Sequence, residues 1–350
     1  MNRSILLPAL LSCLAACGED DGADASATPT VTLEPAYEVV VESDLVYAEG
    51  LAHDRTSTAP MAIPLLLDVY APETDASNRP LFLFVHGGGF TGGTKTKPEI
   101  EAMGEYYASR GWVFVSVDYR TTEELGRLSD MTKDEVFAYY TGIAPREWIE
   151  HAMVPLAAGD LTPKQFQQSL AMYAAQRDAK AALRWMVAHA SDYGIDTDFI
   201  TVGGASAGAI TAITLGISEQ ADFRDEISAE DDPTLSTTNL DASYAVQSMV
   251  YFWGSTVKLD LSAAIYGVDP YDADDPELFM AHGTADQNPS TPYSEATELQ
   301  GIYDGLGIDH ELVPLEGAGH GAWDAEVDGQ GLSELAFDFV VASQGLNVEG

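Results

Sequence analysis

Three hundred and fifty residues, 46% of them hydrophobic, supply core material for one large domain or two small ones and exclude a globally disordered chain. Fifty-six acidic residues against 16 basic ones leave a formal charge of −40, so most of the surface repels nucleic acid and a nucleic-acid-binding role is excluded. Both cysteines, Cys13 and Cys17, lie at the N-terminus, which removes disulfides, thiolate metal clusters and cysteine catalysis from the folded body.

Met1 to Ala16 reads as an export signal: Arg3 supplies the positive start, and the apolar run from Ile5 is too short to span a bilayer. The run ends in Leu14-Ala15-Ala16-Cys17, which resembles the lipobox of bacterial lipoproteins. The resemblance implies that Cys17 becomes the first mature residue, is lipidated, and tethers an exported protein to a membrane surface. An ordinary cleaved signal with an incidental cysteine is the alternative. Residues 17–36 then form a flexible acidic tether, since Gly18 to Thr30 is small, polar and without apolar periodicity. The core is expected to begin near Tyr37 and to run as one domain over 37–350.

Strands are expected at Val39–Val46 and Leu65–Tyr70, then at the continuous apolar runs Leu81–Val85 and Val113–Val117. Runs of that kind suit parallel strands buried on both faces. Residues 121–161 follow the fourth strand and interrupt the alternation. Their amphipathic pieces, Lys133–Tyr140 and Arg146–Met153, read as a helical, lid-like insertion. Thr162, Pro163 and Gln165 open a long helix with a capping box. The strand series resumes at Phe199–Val202, Val246–Trp253, Leu278–Ala281 and Leu312–Leu315, with helices expected at Ala209–Ile217 and Pro292–Leu306. Strand–helix alternation predicts an α/β fold: a mostly parallel sheet with helices on both sides.

Gly204-Ala205-Ser206-Ala207-Gly208 matches the G-x-S-x-G elbow, a tight strand-to-helix turn that projects a serine hydroxyl above the sheet edge. His86-Gly87-Gly88-Gly89-Phe90 directly follows the LFLFV strand. Glycines there leave backbone N–H groups free to face a ligand oxygen, as a tetrahedral oxyanion requires. A glycine-rich turn with no ligand gives the same pattern. Asp286 lies beyond one later strand and His320 beyond the next, in the order Ser206, Asp286, His320.

At this point the chain resembles the α/β-hydrolase superfamily, in its carboxylesterase and hormone-sensitive-lipase-like branch. The landmarks are HGGGF, VSVDYR, GGASAG, AHGTAD and GAGH, in that order between Tyr37 and Gln344. The resemblance implies an eight-stranded, mostly parallel sheet. It makes Ser206 the nucleophile, Asp286 the acid and His320 the base, and assigns oxyanion binding to the N–H groups of Gly88, Gly89 and Ala207. Gly87 becomes a turn former and His86 packs beneath the loop. One departure is Ala205, where many relatives carry an acid before the serine.

The reading is therefore a serine esterase that needs no cofactor and no metal, acting on a small-molecule or polymer-linked ester through an acyl-enzyme. A peptidase or amidase on the same fold, and a non-catalytic surface binding module, remain open. His53, His151, His189 and His310 read as surface or satisfied core residues, and His282 as structural beside the acid. The loop Asp269–Asp275 is acidic but lacks the glycine turn and terminal glutamate of a calcium loop, and reads as solvated. Phe90, the aromatic residues of 121–161 and Tyr251-Phe252-Trp253 either line an apolar pocket or pack in the core.

Overall fold

The computed structural model describes residues 28–53, 59–126 and 131–350. The expected signal segment 1–16, Cys17 and the expected tether as far as residue 27 lie outside the described residues. Pairing starts earlier than the expected core boundary near Tyr37. Strand β1 (Thr30–Thr32) lies parallel to β12 (Asn347–Glu349), and Val31 between its two threonines is fully buried. One apolar residue between β-branched neighbours is too short a run to read as a strand, yet it suffices to fasten the N-terminal segment to the C-terminus.

Eight strands make the main sheet: β2 (Val39–Ala52), β3 (Met61–Pro72), β4 (Arg79–Val85), β5 (Val113–Val117), β6 (Ile195–Ala205), β7 (Ser248–Phe252), β8 (Glu277–Gly283) and β9 (His310–Leu315). Their spatial order is β2-β3-β5-β4-β6-β7-β8-β9. From β5 to β9 every pairing is parallel, whereas β3 runs antiparallel to both β2 and β5. The sheet is thus mixed at one edge. Every residue of β4, β5 and β7 is buried, because helices cover both faces of the central strands. Side chains alternate between those faces: Leu81, Leu83 and Val85 enter one core, Phe82 and Phe84 the other.

The second face is covered by α1 (Pro98–Ala108) and, near the C-terminus, α9 (Leu332–Ser343), through residues such as Tyr107 and Phe337. The first face is larger. It carries α2 (Lys133–Tyr140), α3 (Arg146–Ala158), α4 (Pro163–Ala188), α6 (Ala207–Ile217), α7 (Val257–Tyr266) and α8 (Tyr293–Leu306), the short α5 (Ala190–Tyr193) following α4. Capping boxes at Thr132/Glu135 and Thr162/Gln165 start α2 and α4 by satisfying N-terminal N–H groups. A two-stranded hairpin, β10 (Glu326–Val327) with β11 (Gln330–Gly331), leads into α9.

Residues 131–161 pack against the body: Phe137, Tyr139, Tyr140 and Trp148 are all buried. Two buried ion pairs tie α4 to its surroundings, Arg120–Asp178 at 2.6 Å and Arg177–Asp232 at 2.8 Å. The chain order reverses at β4. The connection β4–α1–β5 runs to one side, and β6 then returns to the other side of β4. A crevice opens outside the carboxyl ends of strands at such a switch point. The HGGG loop and Ser206 follow those two strand ends. Among the described residues no helix is long and apolar enough to cross a membrane.

Candidate active site

Ser206 joins β6 to α6 with φ 56° and ψ −121°, a conformation rare for a residue with a side chain. Its own N–H donates to the Phe252 carbonyl at 2.9 Å, which anchors the turn to β7. The flanking glycines are dictated by space: a Cβ on Gly208 would fall on the Val85 carbonyl, and one on Gly204 on the Gly208 carbonyl. Crowding of this kind lifts the serine above the strand ends. The N-terminus of α6, with the Ala207 N–H in its first turn, faces the same space.

The glycine loop after β4 is held from several sides. Gly88 has φ 148°, and any Cβ there would fall on the Gly92 carbonyl. Thr91 N–H donates to Gly88 O, Lys97 Nζ to Gly87 O, and Gln168 Nε2, from α4, to Gly89 O at 2.8 Å. His86 packs beneath, stacked on Tyr119 with ring centroids 4.3 Å apart, while the Tyr119 hydroxyl donates to the His86 carbonyl. With its carbonyls engaged, the loop presents Gly88 and Gly89 at the surface beside Ser206.

Asp286 follows β8 and His320 follows β9, so the two arrive at the same sheet end as Ser206. His320 Nε2 lies 2.9 Å from Ser206 Oγ, and His320 Nδ1 lies 2.8 Å from Asp286 Oδ2. The Asp286 carboxylate is buried; its Oδ1 accepts the Asn288 N–H at 2.8 Å. His282, at the end of β8, places Nε2 3.1 Å from both Asp286 Oδ2 and the Thr291 carbonyl. Burial holds the His282 imidazole below the ordinary histidine range, and its neutral form therefore carries the proton on Nε2, facing two acceptors. This chain of groups can take a proton from the serine hydroxyl, hold the imidazolium that forms, and leave free N–H groups beside the developing oxyanion.

A cleft of about 730 Å³ opens over Ser206, lined also by Gly89 and Ala207. Its apolar wall includes Phe90, Met172, Ile210, Val257 and Leu261, and its polar wall Gln165, Asn288, Asp260 and Glu295. Thr256 N–H donates to Glu295, whose carboxyl is raised by partial burial. Of the aromatic candidates for the pocket, Phe90 alone lines this cleft. Tyr251, Phe252 and Trp253 are core residues, as are the aromatic side chains of 131–161. His53 is buried and stacked on Tyr139, while His189 and His310 each bond a nearby carbonyl. His151 sits on the cleft wall, on an exposed turn of α3.

Three contributors carry no sequence signal: Gln168, Thr291, whose hydroxyl lies 3.3 Å from His320 Nδ1, and Lys258. Lys258 lies wholly inside, 5.2 Å from the Phe90 ring centroid, with Nζ donating to Gln176 Oε1 and Thr211 Oγ1 at 2.9 Å each. Burial pushes its ammonium well below the usual lysine range. In the acidic loop, burial raises the Asp275 carboxyl to about 7. Among the described residues no group of three or more His, Cys, Asp or Glu is arranged to hold a metal ion.

A protein-family model described as BD-FAE matches residues 67–133 and 165–264. Gut esterase 1 of Caenorhabditis briggsae is 27% identical over 154 residues, or 44% of this chain. The chain spans only about a fifth of that relative, since the match covers 21% of its length. Among solved structures, the propionate-bound Est2 esterase of Thermogutta terrifontis superposes with a TM-score of 0.56 at 22% identity, covering 90% of this chain and 97% of that one. The same esterase phosphorylated by paraoxon superposes with a TM-score of 0.53, at 22% identity and 86% and 94% coverage. A truncated carbohydrate esterase from gut microbiota gives 0.55 at 17% identity, covering 90% and 99%. These similarities establish an α/β fold shared with esterases.

Proposed function

We propose that the protein is a serine esterase that hydrolyses carboxylic esters through an acyl-enzyme. The observation that carries the reading is the line Ser206 Oγ–His320 Nε2 at 2.9 Å and His320 Nδ1–Asp286 Oδ2 at 2.8 Å, with Ser206 lining the cleft. His320 removes the Ser206 proton as the oxygen attacks the ester carbonyl, and Asp286 holds the imidazole tautomer and stabilises its cation. The N–H groups of Gly88, Gly89 and Ala207 receive the oxyanion. His320 then protonates the leaving alcohol, and water repeats the cycle to free the acid.

The apolar wall around Phe90 and Ile210 suits a short acyl or aryl-acyl group, and the polar wall suits a hydroxyl-bearing alcohol. A fold neighbour described as a carbohydrate esterase supports a hydroxyl-bearing alcohol, and the neighbour phosphorylated by paraoxon is itself described as an esterase. In this reading α3 roofs the acyl side, through His151, Ala152 and Pro155. The negative surface disfavours polyanionic substrates. The lipobox resemblance at Cys17 supports export and membrane tethering, testable by lipid labelling of the parent and Cys17→Ser.

A p-nitrophenyl ester series of rising chain length, run beside amino-acid amides, tests the assignment. Esters turned over far faster than amides, with Ser206→Ala inactive, is the expected result. Faster turnover of amides would move the assignment to a peptidase or amidase. Absence of turnover together with no fluorophosphonate labelling would leave a binding module.

A further inference from the structure

The triad carboxylate has a neighbour that the mechanism above does not use. Asp286 Oδ2 lies 2.8 Å from His320 Nδ1 and 3.1 Å from His282 Nε2, so one oxygen meets two imidazoles. His282 is wholly buried at the end of β8, and the loop from Gly283 to Asp286 brings the carboxylate back over it. A second acceptor, the Thr291 carbonyl, also lies 3.1 Å from Nε2, while Nδ1 is buried without a hydrogen-bond partner. With acceptors only at Nε2, the proton of the neutral ring belongs there. The ring therefore donates to the carboxylate and does not compete with it for a proton. The Tyr251 and Tyr293 rings, from β7 and α8, enclose it at 6.1 and 5.8 Å between centroids. The charged or titratable groups facing it are thus Asp286, His320 and these two phenols, with Glu295 acting at longer range on Tyr251.

We propose that His282 is a positioning residue for ester hydrolysis: its Nε2–H fixes the Asp286 carboxylate beneath His320 and takes up part of its negative charge. The proposal rests on the triad reading above. Two consequences follow. Without the donor the carboxylate keeps the Asn288 N–H on Oδ1 but loses its second tether on Oδ2, and His320 is held less well against Ser206, a loss read in kcat. The carboxylate also concentrates its charge on His320, which then keeps its proton to higher pH.

The test compares His282→Leu, which keeps apolar bulk without a donor, with His282→Gln, whose amide nitrogen reaches the Nε2 position. His282→Leu is expected to lower kcat about 10- to 100-fold with KM little changed. Its acid limb of kcat/KM should move up by about half a pH unit to one unit. His282→Gln should recover most of the rate and the parent's limb. A His282→Leu enzyme with the parent's kcat and limb overturns the proposal. So does an equal loss in both variants with the limb unmoved, because ring volume and not the donor would then matter. If His282→Leu does not fold, His282→Gln decides alone: a rate within about threefold of the parent supports the proposal and a larger loss overturns it. Ser206→Ala, run in parallel, separates the two levels. Activity retained in Ser206→Ala sinks the esterase reading itself, whereas its loss beside an unaffected His282→Leu sinks only the inference.

Discussion

Replacing Lys258 by Met should make the protein's stability respond differently to pH. The Lys258 amine is fully enclosed, and its hydrogen-bond partners, Gln176 and Thr211, are uncharged. The carboxylate whose attraction it feels is Asp178, and that group is already paired with Arg120 at 2.6 Å. Its folded pKa is therefore depressed, while the unfolded chain keeps the ordinary lysine value. Between those two values the unfolded state binds one more proton than the native state, so stability rises with pH across the window. The slope approaches about 1.4 kcal/mol per pH unit for one proton. Above the unfolded value the penalty vanishes; below the folded value it is complete. Met removes the titration but leaves the Gln176 carbonyl oxygen without its partner, a cost of about 1–3 kcal/mol. Lys258→Met should accordingly be near neutral or destabilising at pH 9 and gain on the parent as pH falls towards 6. Urea unfolding of both proteins across pH 6–9.5, with m-values checked for equality, measures the difference. Parallel stability curves across that range would show that Lys258 keeps its proton in the native state, since a lysine charged in both states leaves no slope.

Three further outcomes follow from the site and its supports. Asp286→Asn should fold normally but lose about 10³–10⁴ in kcat, because an amide cannot hold the His320 tautomer or its cation; steady-state kinetics on a p-nitrophenyl ester checks this. Asp178→Asn should destabilise by about 3–5 kcal/mol in denaturant titration, because it leaves the Arg120 guanidinium buried and unpaired. Gly208→Ala should cost about 1–3 kcal/mol or more and most of the activity, since its methyl must displace the Val85 carbonyl beneath the elbow; thermal unfolding and kcat/KM read both.

The parts of the fold that were legible are those in which one local pattern decides. LFLFV and VFVSV read as doubly buried strands from composition and length, and β5 spans the very residues of its apolar run. The capping box at Thr162 marked the start of α4, and the glycine spacing around Ser206 marked the elbow, because both signals rest on a few adjacent residues. Contacts between distant segments were not legible. The antiparallel direction of β3 depends on which neighbours it meets, not on its own alternation. Strand β1 pairs with β12, more than three hundred residues away, and Val31 is buried among residues of distant segments such as Tyr107 and Leu346. Tyr251-Phe252-Trp253 has the composition of a pocket or of a core, and only packing places it in the core. In the site, Ser206, Asp286 and His320 each sit on a recognisable loop. Gln168 and Lys258 lie in helices with no motif, and the donor role of His282 follows from an acceptor pair that only the folded chain assembles.

The proposed mechanism requires the Ser206 hydroxyl to be the nucleophile. Incubating the parent and Ser206→Ala with a fluorophosphonate probe, then mapping the modified peptide by mass spectrometry, tests it most directly. Stoichiometric labelling on Ser206 in the parent, with matching loss of ester hydrolysis, and neither labelling nor hydrolysis in Ser206→Ala, is the expected result. Labelling at another residue, or hydrolysis persisting at the parent's rate in Ser206→Ala, would contradict it.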